Sequence, residues 1–443
     1  MIAPSNRLVV AGLLLLLPAT ILGGVFAVAL LPLIIWIAVL CCVAIADLLA
    51  GRAGKPELQI RVPEKISAQR GQSFEFWTEA LQSGRKPVQV RFAVAWPAQF
   101  RFEPTVFEAV LGSTKLVWRQ TVLGPERGVF HLSRAFFDSG SPLGFWRYRQ
   151  SVPLSTEIRI YPSLRSEARK MARFLVRGAS GWQRQPRVGR GREFEKLREY
   201  EAGDGFDTIH WKATAKRRFP VTKVFQVEQA QEVYVILDAS RLGSRRALFT
   251  SEDEPESILE RTLTAGLLFG AVAERQGDKF GLAIISDQVE RFVTASNGTA
   301  HFNRCRDLLC SVHSREVAPD FTEITATLLE RLRRRSLLVF FISLDDPVVA
   351  EDFLRSVGHL TRRHLVLLLI LCPPGVEPLF SKRTISTEIE MFDRIGGHLR
   401  WAGLTELGRQ LSQAGVHFKL VNSETVSVEA ASSYLNLKRR QLL

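Results

Sequence analysis

No glycine-rich phosphate loop ending in lysine occurs in this sequence, no His-Glu-x-x-His and no Gly-x-Ser-x-Gly. Nucleotide hydrolysis by a P-loop, zinc proteolysis and α/β-hydrolase chemistry therefore lose their usual signatures. Cysteine is scarce: Cys41, Cys42, Cys305, Cys310 and Cys372 form no Cys-x-x-Cys pair and no zinc-ligand spacing with the eight histidines. They read as buried thiols of a reducing compartment. Charge is missing altogether from Leu8 to Ala46. That run is about twice the ~20 residues that one membrane-spanning helix needs, and it exceeds the ~7 to 15 apolar residues of a signal peptide.

Two spans near residues 8–25 and 29–48 are therefore expected, with the chain turning between Gly23 and Pro32. Arg7 precedes the run, and Arg52 and Lys55 follow it, so both ends favour the cytoplasmic face. The expectation is a multi-pass membrane protein with its remaining domains cytoplasmic. Asp47, near the exit, reads as an interfacial residue.

What the sequence does have is 443 residues, 46% of them apolar and 23% charged, enough for two or three cores. An excess of 59 Lys and Arg over 45 Asp and Glu, +14, favours an anionic partner surface. Residues 1–56 form the hairpin in this reading. Over residues 57–162 the pattern has period two: "VQVRFAVAW" sets Val88, Val90, Phe92, Val94 and Trp96 on one face. Similar runs separated by Gly, Pro and Ser turns predict an antiparallel β-sandwich-like domain of about seven strands.

Residues 163–231 form a basic connection followed by a motif. Arg165 to Arg192 holds nine basic residues and one acid. It reads as a solvated linker facing an anionic membrane or an acidic partner, with nucleic acid the less favoured alternative because no recognition motif accompanies it.

The motif is "GREFEKLREYEAGDGFDTIHWKATAKRRFPVTKVFQVEQAQEVYVILDAS". It resembles the bacterial family known as domain of unknown function 58, through Gly191, Glu193, Phe194, Leu197, Arg198, Tyr200, Gly203, Asp204, Ile209, Trp211, Lys212 and Ala215. Upstream, Arg127, Gly128, Pro142, Leu143, Gly144 and Phe145 resemble its Arg-Gly and Pro-Leu-Gly-aromatic steps. His210 stands where the family pattern has aspartate. The resemblance implies a protein anchored in the bacterial inner membrane, with a von Willebrand factor A-like carboxyl domain and associated with a MoxR-type AAA+ ATPase. The acids of the motif offer general acid–base groups. The alternative, which is preferred, has Arg198 and Lys212 pairing with those acids while Trp211 packs beneath, at an interdomain surface.

Residues 232–443 alternate strands and helices, as expected of a Rossmann-like, von Willebrand factor A-like α/β domain. A helix is predicted from about Pro255 to Gln276. Such domains hold Mg²⁺ through Asp-x-Ser-x-Ser after the first strand, because a hard cation needs several oxygens. Asp238 and Ser240 fill the first two positions, but Leu242 takes the third. Asp345 and Asp346 are candidates for a late carboxylate, and Thr294, Thr299 and Thr322 for a loop hydroxyl. The pattern reads as a degenerate metal site, and no cofactor is expected beyond a possible Mg²⁺. No residue is assigned a catalytic role. The functional expectation is a non-catalytic, membrane-anchored scaffold or adaptor working with a MoxR-type ATPase in assembly or maturation of protein complexes. A Mg²⁺- or Mn²⁺-dependent enzyme at the strand ends is the rival, and nucleic-acid binding through the basic connection is a third class.

Overall fold

A computed structural model describes residues 2–14, 30–53, 58–82, 88–103, 106–111, 115–178, 188–189, 193–201, 205–206, 209–226, 230–247, 256–373, 375–381 and 387–440. The chain divides into two compact units, Met1–Ser163 and Leu164–Leu443.

The first unit opens with β1 (Ile2–Pro4), a helical stretch at residues 6–14, and helix α1 (Leu30–Ala53). Nine strands follow: β2 (Leu58–Arg61), β3 (Lys65–Gln69), β4 (Ser73–Gln82), β5 (Val88–Val94), β6 (Arg101–Glu103), β7 (Phe107–Leu111), β8 (Leu116–Leu123), β9 (Gly128–Gly140) and β10 (Trp146–Tyr161). One sheet has the order β1-β10-β9-β5-β7, with β3 parallel to β10, and the other has the order β2-β4-β8-β6. The alternation of β5 holds: Val90, Phe92 and Val94 are buried. Phe92 and Val94 meet Phe76, Trp118 and Val122 of the second sheet in one apolar cluster, where the Phe92 and Trp118 rings make an edge contact at 4.7 Å. Fully burying each such side chain contributes about 1.5–3 kcal/mol.

The amino-terminal hairpin must be corrected, and with it the transmembrane and multi-pass inner-membrane readings. Among the described residues no helix is long and apolar enough to cross a membrane. Residues 15–29, which include much of the first expected span (8–25), lie outside the described residues. The carboxyl end of α1 is occupied by protein instead. Asp47, buried, accepts hydrogen bonds from Ser141 Oγ (2.5 Å), Leu143 N–H (2.9 Å) and Phe145 N–H (3.2 Å). Trp146 Nε1 donates to Ala44 O at 2.8 Å, and Tyr148 Oη to Leu48 O at 2.5 Å.

The second unit begins with α2 (Arg165–Gly178), β11 (Val188–Gly189), β12 (Glu193–Glu199), α3 (Trp211–Arg217) and β13 (Val221–Gln226). Then come β14 (Glu232–Asp238), α4 (Arg241–Ser244), β15 (Arg246–Ala247), β16 (Glu256–Ser257), α5 (Ile258–Arg275), β17 (Lys279–Ile285), β18 (Val289–Ser296), α6 (Thr299–Cys310) and α7 (Phe321–Arg331). The last elements are β19 (Leu337–Phe341), α8 (Pro347–Thr361), β20 (Leu365–Leu371), α9 (Glu388–Gln413), β21 (Val416–Val421) and α10 (Val426–Arg439).

The main sheet has the order β18-β17-β14-β19-β20-β21 and is parallel except for β18. Along β14, Val233, Val235 and Leu237 join a core with α5 and α10, while Tyr234 and Ile236 join one with α7 and α8. Both faces are thus covered, which is why β14 reads as an unbroken apolar run. The start of α5 carries a capping serine: Ser257 Oγ accepts from Glu260 N–H at 3.2 Å, in the spacing of a capping box. The basic stretch from Arg165 begins as α2 rather than as a solvated linker. Met171 enters the core, and the buried Glu167 pairs with Lys170 and Arg261. The carboxyl tail is also core: Tyr434, Leu435 and Leu437 of α10 are buried.

Candidate functional site

Strand order reverses at β14, which has β17 on one side and β19 on the other. In open α/β sheets the crevice beyond such strand ends is the usual place for a site. Asp238 ends β14 there, 3% exposed. Its Oδ1 accepts the Ser240 N–H at 2.8 Å, whereas Oδ2 has no hydrogen-bond partner among the described residues. Burial is the largest influence on this carboxyl and pushes its pKa up, against the opposing pull of Ser240 and the Ser343 main chain.

Ser240 is fully buried and caps α4, its Oγ accepting from Leu242 N–H at 3.3 Å. Leu242 turns into the core. Gly243 allows the close return of α4, since a Cβ there would collide with the Asp238 carbonyl oxygen.

The other two candidates answer to arginines. Arg241 Nη2 lies 3.0 Å from Asp346 Oδ2, and Arg245 Nη1 pairs with Asp345 Oδ2. Asp346 also caps α8 through Val348 N–H at 3.1 Å. Sequence reading missed a third pairing beside them. Ser286, at the end of β17, donates to Asp287 Oδ1 at 2.7 Å, and Arg315 reaches Asp287 (3.6 Å) and Glu290 (3.2 Å). The Ser286 bond is the main influence lowering the Asp287 pKa. A serine–aspartate step directly after the apolar strand "KFGLAII" was the available signal.

A divalent cation fits this donor set poorly. Leu242 supplies no oxygen, the late carboxylates face guanidinium groups, and among the described residues no three His, Cys, Asp or Glu side chains are placed to hold a metal. Thr322 Oγ1 is directed to Asp352 and Ser356 (3.5 and 3.4 Å), while Thr294 and Thr299 lie on β18 and at the start of α6.

The motif residues form a second feature. Gly191, Gly203 and Asp204 lie outside the described residues. Glu193 and Phe194 lie in β12, paired with Gln226 and Phe225 of β13. Arg198 bonds Glu201 (3.3 Å) and the Glu199 carbonyl (3.1 Å). His210 caps α3, its Nδ1 accepting from Ala213 N–H at 3.0 Å. Helix α3 itself buries no residue. Trp211 is 68% exposed rather than packed beneath the motif, and Phe206, 76% exposed, stacks on Tyr200 at 6.1 Å. Lys212, Lys216, Arg217 and Arg218 are exposed on the same short segment. Arg218 holds φ 63°, the left-handed region, donating its N–H to Thr214 O at 2.8 Å. That conformation costs a non-glycine residue about 1–2 kcal/mol.

No curated protein matches this chain. Among solved structures, "conserved hypothetical protein BatB" from Bacteroides thetaiotaomicron is 14% identical, covering 47% of this chain and 99% of its own, with a TM-score of 0.30. A protein of unknown function from Porphyromonas gingivalis W83 is 12% identical over 24% of this chain and 47% of its own, at 0.17. An uncharacterized membrane spanning protein from Vibrio fischeri is 13% identical over 47% and 98%, at 0.18. Likenesses this slight assign nothing to the chain. Residues 196–377, which include most of β12, helix α3, Asp238 and the arginine-bound Asp345 and Asp346, match the family described as "Protein of unknown function DUF58".

Proposed function

We propose that this chain is a non-catalytic adaptor whose von Willebrand factor A-like second unit presents the α3 segment to an acidic protein partner. The observation that carries the reading is the exposure of Trp211 and Phe206 beside four cationic side chains, three on a helix with no buried residue and one, Arg218, at its C-cap. Large aromatic groups left in water beside exposed positive charge are what interface anchors look like before the partner arrives. The arginine pairs at the sheet end support the non-catalytic half, because Arg241 and Arg245 occupy the carboxylates of Asp346 and Asp345. The partner is a MoxR-type AAA+ ATPase, which the family resemblance implies, acting in assembly or maturation of a protein complex.

The test is binding of the full chain to the MoxR-type ATPase of the same organism by biolayer interferometry. Trp211→Ala should weaken binding by about thirtyfold or more, as truncation of an interface tryptophan does, and Lys212→Glu with Arg217→Glu should weaken it further. Thermal unfolding should be unchanged in both variants, since these side chains are exposed. Absence of binding by the wild-type chain, or equal binding by Trp211→Ala, overturns the reading.

A further inference from the structure

A cavity of about 630 Å³ lies where β21, the edge strand of the main sheet, meets α10. Its wall carries His417 and Lys419 from β21 and Ser433, Asn436 and Arg440 from α10 or its end, with Leu367 and Leu437 giving it an apolar side. No acidic residue lines it.

We propose that this cavity binds a small phosphate monoester, its phosphate among His417, Lys419 and Arg440 and its organic part against Leu367 and Leu437. Three cationic or cation-forming groups converge from two elements, which suits a dianion better than a single carboxylate. Among the described residues the carboxylate paired with them is Glu429, 3.1 Å from Lys419, so the cluster keeps net positive charge. Asn436 Oδ1 accepts a bond from Arg439, which leaves its NH₂ as the group offered to a ligand. Burial, and next the Arg440 charge, lower the His417 pKa. Lys419 on its own strand and Arg440 at the end of α10 line the cavity with that ring, so a bound dianion reverses the local field and raises it. The site lies apart in sequence from the α3 segment, and its failure leaves the adaptor reading untouched.

The experiment is a histidine-selective NMR titration of the full chain with inorganic phosphate, phenyl phosphate and benzoate, the His417 signal being identified by its loss in His417→Gln. Saturable movement of that signal with an upward pKa shift is expected. Phenyl phosphate should bind roughly tenfold more tightly than inorganic phosphate, through the ring it buries. Arg440→Gln, an exposed change, should weaken phenyl phosphate about tenfold or more. A His417 signal unmoved by phosphates, benzoate binding as well as phenyl phosphate, equal affinity for the two phosphates, or full affinity in Arg440→Gln would each overturn the assignment.

Discussion

Besides the apolar packing of α10, one buried carboxylate ties the helix to the start of β17, and its removal is a calculable perturbation. Asp278, 2% exposed, accepts from Tyr434 Oη and from Lys438 Nζ (2.6 Å) on Oδ2, and from Gln231 N–H (3.2 Å) on Oδ1. Tyr434→Phe removes one donor and leaves the carboxylate its other two. A bond to a charged acceptor contributes about 1.5–3 kcal/mol, so that is the expected loss. Asp278→Ala strands the fully buried Tyr434 hydroxyl and the Gln231 N–H at once, whereas Lys438, 32% exposed, can turn to water. Breaking a buried charged network in this way costs about 3–5 kcal/mol. With two units, a single unfolding transition is not assured. Hydrogen exchange of peptides from α10 in the full chain is therefore the assay, with opening free energies read in wild type, each variant and the double variant. The double variant should cost little more than Asp278→Ala alone, because the Tyr434→Phe change has already taken away the hydroxyl that would be stranded. Equal losses in the two single variants, or an Asp278→Ala effect below about 0.5 kcal/mol, would refute the reasoning.

Tyr434 and Asp238 also set pH behaviour. Burial first, then Asp278, pushes the Tyr434 pKa far up, so above about pH 10 the unfolded chain loses this proton while the folded chain keeps it. Stability of the second unit should fall as pH rises through that region, and Tyr434→Phe should make the fall shallower, leaving the share of Tyr234, which burial also raises. For Asp238, with its pKa raised by burial, the unfolded chain ionises near about pH 3.9 and the folded chain only at a higher pH. Stability therefore declines with rising pH across that window, and denaturation of Asp238→Asn at successive pH values should lack that slope. The thiols should divide by environment: burial raises Cys305 to about 11, leaving roughly one part in a thousand as thiolate at about pH 8. Mass-spectrometric alkylation should mark the exposed Cys41 and Cys42 quickly and Cys305 only after unfolding.

Elements with strong local periodicity were legible before the structure. The two-residue alternation of β5 and the unbroken apolar run of β14 each follow from how many faces the strand covers, and that is written locally. The capping pair Ser257 and Glu260 was written locally too, two residues beyond Pro255. Other features depend on distant partners. An apolar run does not say whether it meets lipid or protein, and Asp47 finds its donors 94 to 98 residues away. The basic residues of α2 obscured the spacing of Met171 and Phe174 that seats it in the second unit's core. Asp-x-Ser announced a strand end, but Arg241 and Arg245 meet Asp346 and Asp345 at separations of 105 and 100 residues, so no local pattern showed the arginines taking the carboxylates. Exposure of Trp211 ran against the general tendency of aromatic residues to be core, and only the packing around α3 reveals it.

The five hydrogen bonds between the end of α1 and residues 141–148 have a mechanical consequence. They are spread over more than one turn of helix and join it to the β9–β10 corner, so the helix end is held at several points and cannot leave by breaking one bond. Any pull, twist or tilt applied to the helix therefore passes into the long β9–β10 ribbon as into the arm of a lever.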